Sequence, residues 1–115
     1  MPRRPCSKRV ESLPGVRYFK PRAIPLSRLK EVTLTVEELE ALRLADVEGL
    51  YHRDAAICMA ISRPTFSRLL GAAHAKVALA LVQGHALRIE GGTFWVDAPG
   101  APPPSLMVDQ DRIDF

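Results

Sequence analysis

Basic and hydroxyl side chains follow one another between Ser62 and Gly84, a stretch that contains no Asp or Glu. Arg can pair with guanine through two hydrogen bonds, and Ser or Thr can bond to bases or to phosphates. A solvated polar face has a similar composition, but the absence of acids favours an anionic partner. The candidate contacts in this stretch are Ser62, Arg63, Thr65, Ser67, Arg68 and His74.

A helix predicted over 62–82 would position these side chains. Ser62 is a suitable N-cap, Pro64 falls in the first turn where its missing N–H costs nothing, and Gly84 is a suitable terminator. An N-terminus of this kind can also hold a phosphate. The apolar stripe expected to be buried comprises Phe66, Leu69, Leu70, Ala73, Val77, Ala80 and Leu81.

A shorter helix, about 52–60, precedes it, and Ala60, Ile61 and Ser62 form the turn between them. Ala56 supplies a small residue at the helix contact, although Gly would be the easier residue at Ala60. This spacing predicts a helix-turn-helix between Tyr51 and Val82, and a generic helical hairpin in a bundle is the alternative. In a helix-turn-helix, the N-terminal residues of the second helix contact base edges in the major groove.

Another helix is predicted over 35–47. Thr35 and Glu38 have the spacing of a capping box, in which each side chain bonds to a backbone N–H of the other residue. Gly49 follows as a left-handed stop.

The segments flanking these helices differ from them in composition. We expect 1–30 to be an extended, Pro-rich basic arm, 31–84 the helical domain, 85–98 a β-hairpin and 99–115 a flexible Pro-rich and acidic tail. In the hairpin Gly91 and Gly92 form a two-residue turn, which would set Arg88 opposite Trp95 at cation–π distance.

The arm carries one acid, Glu11, against the basic residues Arg3, Arg4, Lys8, Arg9, Arg17, Lys20, Arg22, Arg28 and Lys30. The first four of these basic residues are candidate phosphate contacts. Val16 to Phe19 alternates and predicts one short strand.

Several classes of protein are disfavoured. The sequence contains no run of about 18 apolar residues, the length that a membrane span needs. The basic start is not followed by the apolar run of a secretory signal. His52, His74 and His85 are scattered without paired carboxylates or an activated nucleophile. Cys6 and Cys58 lack the close pairing of a zinc site, and we expect both to be reduced thiols. We therefore expect a cytoplasmic protein that is not an enzyme and has no metal and no cofactor.

Many separated blocks of this sequence resemble, in order, the uncharacterised prokaryotic family called domain of unknown function 134. The blocks include Phe19-Lys20-Pro21, Leu39 to Asp46, Glu48 to Tyr51, Ser62-Arg63, Thr65-Phe66, Lys76-Val77-Ala78 and Ala86 to Gly92. Members are predicted DNA-binding proteins whose helical part is similar to the promoter-reading fourth region of sigma factors. The resemblance implies that Arg63, Thr65, Ser67 and Arg68 lie at the DNA.

Three departures from the family pattern stand out. Ala23 and Ala60 replace usual glycines, so both turns carry some strain. Ile57 and Cys58 stand where charged residues are usual, and His74 replaces a usual Arg.

These patterns predict a mainly α fold: a three-helix helix-turn-helix domain with an extended basic N-terminal arm and a small C-terminal β-hairpin. The expected function is sequence-specific binding of double-stranded DNA by a transcription regulator. We expect a homodimer, because one such helix reads few base pairs, although no heptad specifies the dimer. Two alternatives stay open. One is an adaptor that docks on the transcription machinery through Ile57, the Trp95 hairpin and the tail; the other is structured-RNA binding through the arm.

Overall fold

The computed structural model describes residues 7–96, in which three short strands precede three helices and two further strands follow them. Three helices dominate, so the mainly α prediction is confirmed. The strands are β1 (Lys8–Val10), β2 (Tyr18–Phe19), β3 (Glu31–Leu34), β4 (Ala86–Ile89) and β5 (Phe94–Val96). The helices are α1 (Val36–Leu42), α2 (His52–Cys58) and α3 (Arg63–Gln83), with a 3-10 turn at Leu26–Arg28.

Helix α1 begins at the predicted capping box. The Thr35 hydroxyl accepts from the Glu38 N–H at 3.2 Å, and the Glu38 carboxylate accepts from the Thr35 N–H at 2.8 Å. The predicted range is right, but its last turn, Arg43–Val47, is a π-helix in which the Glu48 N–H reaches back to the Arg43 carbonyl at 2.8 Å. Gly49, at φ +73°, then ends the element as predicted.

Helix α3 also begins and ends where the sequence predicts. The Ser62 hydroxyl accepts from the Thr65 N–H, and Gly84 closes the helix at φ +70°. Of the predicted apolar stripe, Phe66, Leu70, Ala73 and Ala80 are buried and Leu69 and Val77 are partly buried. The prediction that Leu81 is buried is wrong, because this side chain is 76% exposed. It lies about 100° around the helix from Ala80, beyond the side that packs on the sheet.

Two apolar clusters form the core, and α3 contributes to both. One lies among the helices and consists of Ala41, Leu44, Ala55, Ala56, Met59, Phe66 and Leu70. The other joins α1 and α3 to the strands and consists of Val10, Leu34, Val36, Ala73, Ile89 and Phe94. Since α3 crosses from one cluster to the other, its orientation is set along much of its length.

The predicted C-terminal hairpin is wrong. Strand β4 is the centre of a three-stranded sheet, antiparallel to β2 and parallel to β3, while β5 pairs in parallel with β1. Gly91 and Gly92 do turn the chain, at φ +75° and +108°. Both edges of β4 are already occupied, so the chain after the turn finds its partner at β1 instead. Arg88 accordingly lies 5.1 Å from the ring centre of Tyr18, and the predicted Arg88–Trp95 pair is absent from the described strands.

The described end of the predicted arm belongs to the folded body. Within β1, Lys8 is 7% exposed and Val10 is 1% exposed. The Arg9 N–H donates to the Met59 carbonyl at 2.9 Å, and its guanidinium donates to the Cys58 carbonyl at 3.1 Å. Lys8 therefore cannot be the exposed phosphate contact that its charge predicts. The predicted strand near Val16 is confirmed at Tyr18–Phe19, whereas Arg3, Arg4, Cys6 and the tail lie outside the described residues.

A buried carboxylate joins three parts of the fold. Glu37, at the start of α1, lies 3.7 Å from the Lys8 ammonium and accepts from the Thr93 N–H at 3.0 Å. Gly92 closes this cluster, since a Cβ at that position would collide with the Glu37 side chain. The cluster ties β1, α1 and the turn before β5 together.

By length and composition α3 contains a stretch of 18 residues that is apolar enough to cross a membrane. Arg68 and Lys76 interrupt it, and Lys76 pairs with Glu38 of α1 at 2.7 Å. A basic side chain at the centre of a membrane helix costs about 2.5–3.5 kcal/mol on insertion. The expectation of no membrane span stays a prediction that this cost supports.

We expect Gly92→Ala to lower the free energy of unfolding by about 1–3 kcal/mol, because it forces an L side chain into a backbone conformation that such side chains rarely adopt, against Glu37. Gly71→Ala is the control, since nothing lies within 4 Å of its added Cβ, and it should raise the free energy of unfolding by about 0.5–1 kcal/mol. Denaturant titration measures both. Equal effects from the two substitutions would show that Glu37 does not restrict position 92.

Candidate nucleic-acid interface

A tight turn joins α2 to α3. The Ile61 N–H donates to the Ala56 carbonyl at 3.0 Å and the Ala60 N–H donates to the Ile57 carbonyl at 3.1 Å. This is the hydrogen-bond pattern of a Schellman C-cap, whose central residue must be left-handed. Ala60 takes that conformation at φ +57°, so the strain expected there is present. The strain expected at Ala23 is not, because Ala23 does not have a positive φ.

Small and apolar side chains hold the two helices together behind this turn. Ala55 and Met59 are 0% exposed and Ala56 is 2% exposed. Phe66, also 0% exposed, fills the space between the helices, and the His52 ring meets it edge-on at 5.4 Å. The core side of α3 is thereby fixed, and its opposite side faces solvent.

The first two turns of α3 and the cap before them display part of the predicted site. Ser62, Arg63 and Arg68 are exposed, and Thr65 is partly buried beside them. The Ser62 hydroxyl donates to the Thr65 hydroxyl at 2.8 Å, and Arg68 reaches the same oxygen at 3.4 Å. Within the described residues, neither Arg63 nor Arg68 has a carboxylate partner.

Ser67 and His74 are placed differently from the other predicted contacts. The Ser67 hydroxyl lies 2.9 Å from His52 Nδ1 and is partly buried, so it braces α2 against α3. His74 Nε2 lies 2.7 Å from an Asp46 carboxylate oxygen on the π-helical turn. It projects about 120° around α3 from Arg68. The structure therefore does not bring His74 together with the first turn of the helix.

A basic hollow adjoins this turn that the sequence analysis missed. It encloses about 610 Å³ and is lined by Leu50, Tyr51, His52, Arg53 and Arg63. Tyr51 is 77% exposed, and the exposed Arg53 lies 3.6 Å from its neighbour Asp54. The available signal was the position of Tyr51 and Arg53, directly after the Gly49 stop and at the start of the helix that precedes the turn.

Several other charges are matched within the fold. Arg43 bonds to Glu40 at 2.8 Å and to Glu11 at 2.7 Å, and the Glu40 bond chiefly raises the pKa of Arg43. On the sheet, hydrogen bonds from Arg88 and then from Tyr18 lower the pKa of Glu31 to about 2. These pairs stabilise the scaffold, and the charges within each pair neutralise one another.

No metal-binding group of three or more His, Cys, Asp or Glu side chains occurs in residues 7–96. Cys58 is a free, partly buried thiol, and its carbonyl is used by Arg9. The exposed groups around the α2–α3 turn, such as those of Ser62, Arg63 and Arg68, are hydrogen-bond donors, and two of the three are positively charged.

Comparison with known proteins identifies the family to which this chain belongs. Residues 1–97 match the family described as "Protein of unknown function DUF134", and the chain belongs to that family. It is 59% identical over 99 residues to a UPF0251 protein of Moorella thermoacetica, covering 86% of this chain and 66% of that protein. It is 57% identical over 94 residues to a UPF0251 protein of Pelotomaculum thermopropionicum, covering 82% of this chain and 71% of that protein. The chain thus spans about two thirds of the length of these relatives. No solved structure matches it.

We expect Ala60→Gly to raise the free energy of unfolding by about 0.5–1 kcal/mol. Gly relieves the left-handed strain of about 1–2 kcal/mol, and the greater freedom of Gly in the unfolded chain offsets part of that gain. Ala60→Val is the control and should destabilise the protein in the same thermal and denaturant melts. Destabilisation by Gly would show that the turn is unstrained.

We expect the Glu31 carboxyl to titrate near pH 2 instead of its ordinary 4.5. Because its pKa is lower in the folded state, its contribution to stability is present above about pH 4.5 and is lost as the pH falls toward 2. Carbon-13 NMR titration measures this. Arg88→Gln should move the midpoint back toward 4.5, and Tyr18→Phe should move it by less. A midpoint that Arg88→Gln leaves unchanged would contradict the assignment.

Proposed function

We propose that this protein binds double-stranded DNA sequence-specifically and regulates transcription, with α2 and α3 acting as a helix-turn-helix. The observation that carries the proposal is the N-terminal end of α3. In its first two turns Arg63 and Arg68 are exposed and lack acidic partners within the described residues, on a helix that Phe66 anchors to the core.

Rigid support of α3 favours reading by direct contact. Discrimination between bases requires donors held in a defined geometry, and a helix anchored in two apolar clusters meets that requirement. The tight Met59–Ser62 connection sets α2 beside it, where the first helix of such a unit crosses the DNA backbone.

The exposed side chains then divide by role. Arg63 and Arg68 are suited to bidentate contact with guanine, and Ser62 and Thr65 to a phosphate at the N-terminus of α3. The hollow beside Tyr51 and Arg53 has the charge to seat an adjacent phosphate. Arg3, Arg4 and the partly buried Arg9 of the arm remain proposed phosphate contacts. Lys8 is not proposed, because it is buried against Glu37.

The adaptor alternative has one observation in its favour, the 71% exposure of Ile57 on α2. The RNA-binding alternative differs from the proposal in its use of α3. The major groove of an RNA duplex is deep and narrow, so α3 could not read its bases. Selection from random DNA duplexes, followed by fluorescence anisotropy with duplex DNA and duplex RNA, tests the proposal. No enrichment of any DNA sequence would refute it.

Replacing Arg63 or Arg68 with Ala should weaken binding to the selected duplex by about 1–3 kcal/mol and flatten base preference at one position. Both variants should melt like the wild type, since both side chains are exposed.

Phe66→Ala is the matched control on the buried side of the same helix. It should cost about 3–5 kcal/mol of stability and reduce binding only in proportion to the unfolded fraction. If both Arg variants bind with wild-type affinity and preference, α3 is not the reading helix.

A further inference from the structure

Four exposed basic side chains occupy the loop between β2 and β3: Lys20, Arg22, Arg28 and Lys30. No Asp or Glu occurs from residue 12 to residue 30. Within residues 7–96, the side chains of Arg22, Arg28 and Lys30 make no hydrogen bond or ion pair, and Lys20 bonds only to the Pro21 carbonyl at 2.8 Å. We call these four residues the basic loop.

Most other basic side chains of the described chain are matched by acids. Lys8 faces Glu37, and Arg43, Lys76 and Arg88 contact Glu40, Glu38 and Glu31 at 2.7–3.0 Å. In the part of the chain that the structure describes, positive charge without a carboxylate partner therefore gathers in the first two turns of α3 and at the basic loop.

These two places lie at opposite ends of α3. The Ile24 side chain comes within 3.5 Å of a Cβ built on Gly84, which ends the helix, and the Lys30 carbonyl accepts from the Ala86 N–H at 2.8 Å. Helix α3 has 21 residues and is about 30 Å long. That separation is close to one turn of B-DNA, about 34 Å.

We infer that the basic loop is a second DNA-binding surface, which contacts backbone phosphates about one helical turn from the bases read by α3. The inference rests on the proposed function for its geometry. Phosphates are the ligand class because the loop offers several unpaired positive charges and no base-reading element. Each phosphate neutralised releases a counterion, so the loop contributes to affinity and its salt dependence without contributing to sequence preference.

The test compares Arg22→Gln/Arg28→Gln with the wild type on two duplexes containing the selected site, one of about 12 base pairs and one of about 26. On the longer duplex, the slope of log affinity against log salt should shrink by about 1.8, which is about 0.9 for each phosphate that the variant no longer neutralises. On the shorter duplex the slope should not change. Base preference should be that of the wild type on both.

Ser12→Glu/Val47→Glu is the charge-matched control, because it lowers the net charge by the same amount at two exposed positions outside the loop. A slope change as large in this control, or none in the loop variant, would overturn the inference. So would a slope change on a 26-base-pair RNA duplex but not on DNA.

The loop and the reading helix fail separately. If no cognate sequence exists, the proposed function fails, and the slope on a random 26-base-pair duplex still reports whether the loop binds phosphates. A lowered melting temperature of the loop variant with an unchanged slope would assign the loop a structural role and refute the inference.

Discussion

The arrangement of the other elements depends on the pairing of the buried Glu37 carboxylate with Lys8 and with the Thr93 N–H. Glu37 is 6% exposed, and a buried charge is tolerated only when it is paired and hydrogen-bonded. Lys8 from the first strand and the Thr93 N–H before the last strand both meet the same oxygen of Glu37. The two ends of the described chain are therefore held against the start of α1, and removing one partner would leave the charge uncompensated.

Closing the ends on α1 determines what α3 can pack against. Strands β1 and β5 supply Val10 and Phe94 to the apolar cluster that covers Ala73, while α1 and α2 cover Phe66 and Leu70. Helix α3 is consequently supported on one side along most of its length. Its N-terminal end and the basic loop are held at a set distance from each other.

Interactions within a few residues could be predicted from the sequence. The capping box at Thr35, the Ser62 cap, and the left-handed stops at Gly49 and Gly84 each depend on groups at most six residues apart. The strain at Ala60 and the burial of Phe66 followed from turn chemistry and helical periodicity in the same way. These local signals also located the exposed Arg68, which lies about 160° around the helix from the buried Phe66, and Arg63, which is the first residue after the predicted cap.

Contacts between distant segments were decided only in three dimensions. The Gly91-Gly92 turn has a typical hairpin sequence, yet β4 pairs with β2 and β3, which lie far earlier in the chain. The sequence predicts Lys8 and His74 as DNA contacts because it does not show which acids pair with them. The acids that pair with them in the structure, Glu37 and Asp46, are 29 and 28 residues away. Short-range pattern specifies which backbone each segment adopts, whereas strand pairing and the partner of each charge depend on which segments the apolar core brings together.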